Sequence, residues 1–211
     1  MSGLVHQIGH HRARHGNVMN SDGIAELMNG VKASVIYSDP PWGTGNLKYW
    51  GTMNKKQTGD TGYTPPKEDA FIDQIFRICA TYCDGPILLD MGVRWKDKFI
   101  EAGEAHGLIH HGYTTTVYGS KKRPLHHHVF SAQPIANPTA HFPLLEGMTG
   151  YAAVEEAIRP FAKPGGILLD PCCGMGYVAR AATRLGMTFY GNELNRKRLQ
   201  KTLNRLERDV N

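Results

Sequence analysis

The sequence predicts a doubly wound, Rossmann-like α/β sheet with helices on both faces, and three observations carry that expectation. Short apolar runs closed by an acidic residue recur at Ala33 to Asp39, Pro86 to Asp90 and Gly166 to Asp170. Runs of this length and content read as buried strands. Between them lie segments whose apolar residues repeat at helical spacing. A Gly-rich turn follows the third run and leads into an Ala-rich helix. Because each parallel crossover needs a helix-sized connection, alternating strands and helices imply parallel strands with helices packed on both sides.

Taken in order, Ala33 to Ser38 is a β-branched strand that stops at Asp39-Pro40-Pro41, where the prolines cannot donate to a sheet. Gly43 to Gly62 is polar and Gly-rich and reads as a loop. Phe71, Ile72, Ile75, Phe76, Ile78, Cys79 and Tyr82 mark one face of a helix, with Thr64 and Pro65 placed at its start. After the strand at Pro86 to Asp90 come a helix around Arg94 to Ala105 and a Thr-rich strand at Tyr113 to Tyr118. From Gly119 to Leu144 the pattern dissolves into cations, histidines and prolines, as in a long surface loop or small excursion. Val154, Ile158 and Phe161 then restore helical spacing, and a short strand, Thr188 to Tyr190, follows the Gly-rich turn and its helix. In the final helix Leu199, Leu203 and Leu206 share one face, while Arg196, Lys197, Arg198, Lys201, Arg205 and Arg208 crowd the others. The 211 residues suit a single domain.

Lys and Arg outnumber Asp and Glu by 24 to 19, a net charge of +5 that favours anionic partners. Cys79, Cys83, Cys172 and Cys173 form neither a CxxC pair nor a disulfide framework, so they read as reduced thiols, and no metal site is indicated. No apolar stretch approaches membrane-spanning length, and a cytoplasmic location is expected.

Asp170-Pro171-Cys172-Cys173-Gly174-Met175-Gly176 has the strand-turn-helix context of a nucleoside site, in which Gly174 and Gly176 let backbone approach ligand. About twenty residues on, Glu193 stands where a carboxylate accepts hydrogen bonds from ribose hydroxyls. The acidic residue ahead of the turn would repel a pyrophosphate, and the third glycine of a dinucleotide fingerprint is missing. S-adenosylmethionine, which has no phosphate, fits better.

Asp39-Pro40-Pro41-Trp42 suggests what is methylated. An exocyclic amino group is a poor nucleophile because its lone pair is delocalised into the ring, so acceptors must draw its N–H bonds out of plane. Asp39 and the Pro40 carbonyl can do this, and Pro40 and Pro41 fix them in advance. Trp42 offers a platform for a base taken out of its stack.

With these residues the sequence resembles the permuted, β-class DNA amino-methyltransferases, in which a DPPY/W tetrapeptide precedes a DPFxGSG cofactor loop. Gly186 through Asn195, with Gly191-Asn192-Glu193-Leu194-Asn195, is similar to the segment the family ends in Gly-Ile-Glu-Leu-Asn. His15-Gly16-Asn17 and the stretch Gly23 to Asn29 resemble its opening Gly-Asp strand and short helix, with Asn17 in place of Asp. Cys172 stands where the family has Phe and Met175 where it has Ser. The resemblance implies a methyltransferase sheet, S-adenosylmethionine bound by Asn17, Asp39, Asp170, Pro171, Cys172, Gly174, Gly176 and Glu193, and transfer to N6 of adenine in double-stranded DNA. It also implies target recognition within Gly119 to Leu144, through Lys121, Lys122 and Arg123.

Lys48, Tyr49, Trp50, Lys55 and Lys56, just after the tetrapeptide, mix aromatics with cations as a strand-contacting loop does. His126, His127 and His128 read as a solvated or DNA-facing loop, and the His-rich N-terminus as a basic flap or frayed tail. The competing readings are an RNA adenosine methyltransferase, a cytosine-N4 enzyme and an inactive nucleic-acid-binding partner subunit. A homodimer is compatible with all of them.

Overall fold

A computed structural model describes residues 4–58, 63–118 and 123–210. In chain order it contains β1 (Val5–Ile8), β2 (His11–His15), α1 (Ser21–Met28), β3 (Val35–Ser38), α2 (Thr44–Thr58), α3 (Glu68–Tyr82), β4 (Ile87–Gly92), α4 (Lys96–Ala105), β5 (Ile109–Tyr118), β6 (Arg123–Ser131), α5 (Phe142–Leu145), α6 (Gly150–Ile158), β7 (Ile167–Asp170), α7 (Tyr177–Arg184), β8 (Thr188–Glu193) and α8 (Arg196–Val210). One eight-stranded sheet has the order β1-β2-β8-β7-β3-β4-β6-β5. The α/β class is as expected. The sheet is mixed, however: β2, β8, β7, β3 and β4 run parallel, while β1, β6 and β5 are joined to it antiparallel.

Alternation along the central strands divides the core into two layers. Ile36, Ile87, Leu89, Phe130 and Leu169 face a layer closed by Ile24 and Leu27 of α1, Phe71, Ile75 and Phe76 of α3 and Phe99 of α4. Val35, Tyr37, Leu88, Val129 and Leu168 face the opposite layer, closed by Val154 and Ile158 of α6, Val178 and Ala182 of α7, and Leu199, Leu203 and Leu206 of α8. Helices therefore cover both faces, as a doubly wound sheet requires.

Several local expectations are corrected. The supposed loop after the tetrapeptide is the helix α2; its sequence has no apolar stripe, because only a few of its side chains, Leu47 and Asn54 among them, are buried. The next helix begins at Glu68 rather than near Thr64, with Lys67 at its cap position. The expected excursion contains β6, a strand inserted between β4 and β5, and Lys121 and Lys122 lie outside the described residues. His127 and His128 are accordingly buried rather than solvated. Of the N-terminal histidines, His6, His11 and His15 belong to paired strands and His10 to the turn between them, not to a tail: β2 sits beside β8, and His11 Nδ1 accepts from the Phe189 amide at 2.9 Å. Two strands are longer than read, β5 starting at Ile109 and β8 ending at Glu193.

Among the described residues no helix is long and apolar enough to cross a membrane. Their cysteines are free thiols, and they contain no group of three or more His, Cys, Asp or Glu able to hold a metal.

Candidate active site

From β3 the chain crosses through α3 to β4 on one side, and from β7 it crosses through α7 to β8 on the other. The two strands are neighbours, so their carboxyl ends form the switch point where open α/β sheets bind ligands. Asp39 follows β3 directly and Asp170 ends β7. The two sequence motifs, more than a hundred residues apart, meet there. Both carboxylates line one cavity of about 260 Å³, with Tyr37, Asp90, Thr116, Met148, Tyr177 and Arg198 also in its wall.

The loop from Asp170 to Gly176 is held from several directions. Asp170 Oδ1 accepts from the Ser38 hydroxyl at 2.7 Å and from the Cys172 amide at 3.0 Å. Glu193 accepts from the Gly174 amide at 2.7 Å and the Asn195 amide at 2.6 Å, which aims the end of β8 at the loop. Asn192 Nδ2 bonds the Gly16 and Pro171 carbonyls, and its Oδ1 receives Arg14 Nη1 at 2.9 Å. Gly174 and Gly176 have φ of 54° and 81°, and a Cβ at Gly176 would lie 2.9 Å from Thr202 of α8. Glycine is required there by conformation and by crowding.

Trp42 donates its indole N–H to Asp39 at 3.2 Å, and its ring lies 5.2 Å from that of Trp95. Gly92 makes room for the pair, since a Cβ there would collide with both rings. The Asp39 carboxyl has a solvent-exposed face. Even so, the surrounding protein and the neighbouring Asp90 raise it to about 7, against the Trp42 hydrogen bond. Solvent reaching that face screens part of the effect until a ligand fills the cavity. Asp170 is fully enclosed, and burial raises it to about 7 despite the Ser38 bond. Glu193 is likewise raised by burial. Arg198 is the cation common to all three.

Of the expected cofactor residues, Asp39, Asp170, Cys172 and Gly174 line the cavity. Pro171, Gly176 and Glu193 shape the loop behind it. Asn17 uses its side-chain oxygen on the Met19 amide at 3.0 Å. Lys48, Tyr49, Lys55 and Lys56 lie exposed on α2, whereas Trp50 lies half-buried under the Arg198 guanidinium, 4.2 Å from its ring centre. Arg123 is exposed at the start of β6. Tyr37, Asp90, His127 and Arg198 went unassigned from sequence. A signal for Asp90 was available, since it closes an apolar strand as Asp39 and Asp170 do.

No family model and no curated protein matches the chain. Solved structures do match. The crystal structure of M1.HpyAVI superposes with a TM-score of 0.64 at 17% identity, over 92% of this chain and 97% of its own. TTHA0409 of Thermus thermophilus, assigned as a DNA modification methylase, gives 0.62 at 17% identity over 95% and 96%. Both have also been solved with S-adenosylmethionine. PvuII DNA methyltransferase, which is cytosine-N4-specific, gives 0.61 at 11% identity over 94% and 89%. The chain therefore has the fold found in DNA methyltransferases.

Proposed function

We propose that the chain transfers the methyl group of S-adenosylmethionine to the N6 amino group of adenine in DNA. The observation that carries this reading is the meeting of Asp39 and Asp170 in one cavity at the switch point. The cavity suits the cofactor in charge: Asp39 and Asp170 are placed to receive cationic groups, and the positive-φ glycines leave the loop backbone open to a nucleoside. When bound, S-adenosylmethionine supplies an electrophilic methyl on a positively charged sulfur. Cys172 to Met175 cradle it, and the lone pairs Glu193 retains after accepting two amides are available to ribose hydroxyls. Asp39 and the Pro40 carbonyl orient the amino group, with Trp42 against the base.

The choice of DNA follows the solved neighbours named above. The fold does not separate adenine from cytosine, because a cytosine-N4 enzyme shares it. The first residue of the tetrapeptide makes that choice: Asp39 stands where cytosine-N4 relatives usually carry Ser. Lys48, Lys55 and Lys56 on α2 and Arg123 on β6 are assigned to phosphate contacts, which position the duplex without reading its sequence. Target recognition is assigned to the part of the Gly119 to Leu144 segment that lies outside the buried strand β6. An inactive partner subunit would have no use for Asp39, Trp42 and Glu193 together.

The test is incubation with labelled cofactor and duplex DNA, digestion to nucleosides and mass spectrometry. N6-methyladenine is expected. Asp39→Ala should lower the rate on the order of 10²-fold or more while cofactor binding persists. N4-methylcytosine as the product, or methylation of single-stranded RNA alone, would overturn this assignment.

A further inference from the structure

Beside the site lies a buried polar chain that the reaction as described leaves unused. Ser38 pairs with Leu89 in the register of β3 and β4, so Asp39 and Asp90 come next on two parallel strands, roughly 4.8 Å apart as sheet neighbours are. Both line the cavity. Asp90 Oδ2 accepts from the Tyr37 hydroxyl at 2.6 Å, and Oδ1 faces His127 Nδ1 at 2.7 Å. His127 Nε2 in turn lies 3.4 Å from His141 Nε2. Tyr37, His127 and His141 are all buried.

The protons in this chain can be placed. Burial, reinforced by His127, lowers His141 to about 4, so its ring is neutral at neutral pH. Its Nδ1 has no hydrogen-bond partner among the described residues. Its one proton therefore finds an acceptor only on Nε2, facing His127 Nε2. That leaves His127 to carry its own proton on Nδ1, toward Asp90. Asp90 thus accepts two hydrogen bonds, one from each neighbour, and both of its oxygens are fixed beside Asp39.

Resting on the methyl-transfer reading, we propose that Asp90, held by Tyr37 and His127, is a positioning residue whose charge makes the adjacent Asp39 a base able to take the proton shed by the methylated amino nitrogen. In that step the nitrogen lone pair forms the new N–C bond and the pair of the broken S–C bond stays on sulfur. One N–H proton passes to an Asp39 oxygen and from its exposed face to water. The groups facing Asp39 are Asp90 from β4, Asp170 from β7, Arg198 from α8 and the Trp42 indole; those facing Asp90 are Asp39 and Tyr37 at the end of β3 and His127 from β6, with Thr116 of β5 in the wall of the same cavity. Asp90 is the largest charge acting on Asp39, which sits at about 7.

The experiment is a carbon-detected NMR titration of side-chain carboxyls in the wild type, with Asp39 assigned by its loss in Asp39→Asn. A midpoint raised above the ordinary carboxyl range toward 7 is expected, falling by roughly one pH unit in Asp90→Asn, as one nearby charge across a partly solvated gap requires. Asp90→Ser removes the same charge with a smaller side chain and serves if the amide variant does not fold; Asp90→Glu should restore the midpoint. The acid limb of the single-turnover rate should move down in pH with it. An Asp39 midpoint in the ordinary carboxyl range, or one unmoved by loss of Asp90, overturns the inference. So does an active wild type whose acid limb ignores Asp90→Asn, leaving methyl transfer standing. A protein that makes no methylated base overturns methyl transfer instead, while the titration still reads the coupling.

Discussion

The Ser38 hydroxyl donates to Asp170 Oδ1 across 2.7 Å, joining the carboxyl ends of β3 and β7 and with them the two halves of the site. Both groups are buried. Ser38→Ala removes a hydrogen bond to an enclosed carboxyl and leaves that oxygen only the Cys172 amide. Losing one of two hydrogen bonds to a buried carboxyl costs about 0.5–3 kcal/mol, the upper end when it is ionised, so the unfolding free energy from urea titration should fall by that amount at constant slope. An unchanged midpoint would mean that water replaces the hydroxyl and that the bond does not tie the strands.

The parts of the site that could be read from sequence are those written in a few consecutive residues. Asp39 to Trp42 announces itself because an apolar run and two prolines fix a strand end locally, and Asp170 to Gly176 because its glycines follow a strand. The parts that escaped depend on partners distant in sequence. His126, His127 and His128 read as polar and therefore as loop, but neutral imidazoles pack as aromatics: His128 stacks on Phe130 with rings 6.0 Å apart, and on Tyr113 at 5.1 Å. The helix α2 carries no periodic signal because little of it is buried. Arg14, a cation in what looked like a tail, is buried through tertiary structure alone.

Arg14 is 1% exposed, and its guanidinium bonds Asn192 Oδ1 while Nε has no partner among the described residues. A Cβ on Gly16 or Gly23 would collide with it, so both glycines make room for this one side chain. Burial lowers its pKa, against the attraction of Glu26. Its contribution is therefore mainly volume. Arg14→Ala should cost about 3–5 kcal/mol through the cavity it leaves, whereas Arg14→Met, which fills the space without a charge to desolvate, should recover most of that loss. Denaturation of the pair decides the point: a methionine variant no more stable than the alanine one would show that the hydrogen bond to Asn192, not the packing, holds β2 against β8.

Acid should destabilise the fold through His128 and His141. Burial, their first cause, lowers His128 to about 3 and His141 to about 4, so in the unfolded chain these rings take up protons near 6.5 that the folded protein refuses. The stability they contribute is complete above 6.5 and drains away as pH falls toward 4 and then 3. Asp39 and Asp170 act with the opposite sign. Asp170 is raised to about 7 by burial, and Asp39 likewise by the surrounding protein and Asp90 with solvent screening part of the effect; they contribute stability that is present below their unfolded value of 3.8 and lost as pH rises toward 7, Asp39 the smaller share. Between pH 4 and 6.5 the two sets oppose each other, and single variants separate them. In thermal melts from pH 4 to 8, His128→Gln should flatten the acid side of the Tm profile. Asp170→Asn should flatten the neutral side, gaining on the wild type as pH rises. Because the buried charge lacks a fully compensating cation in the empty cavity, the Asp170 effect should shrink when S-adenosylmethionine is added, as a cationic ligand takes over the role of the missing proton. A His128→Gln profile parallel to the wild type would place the acid transition elsewhere, and an Asp170→Asn gain that persists with cofactor present would mean that Asp170 does not face it.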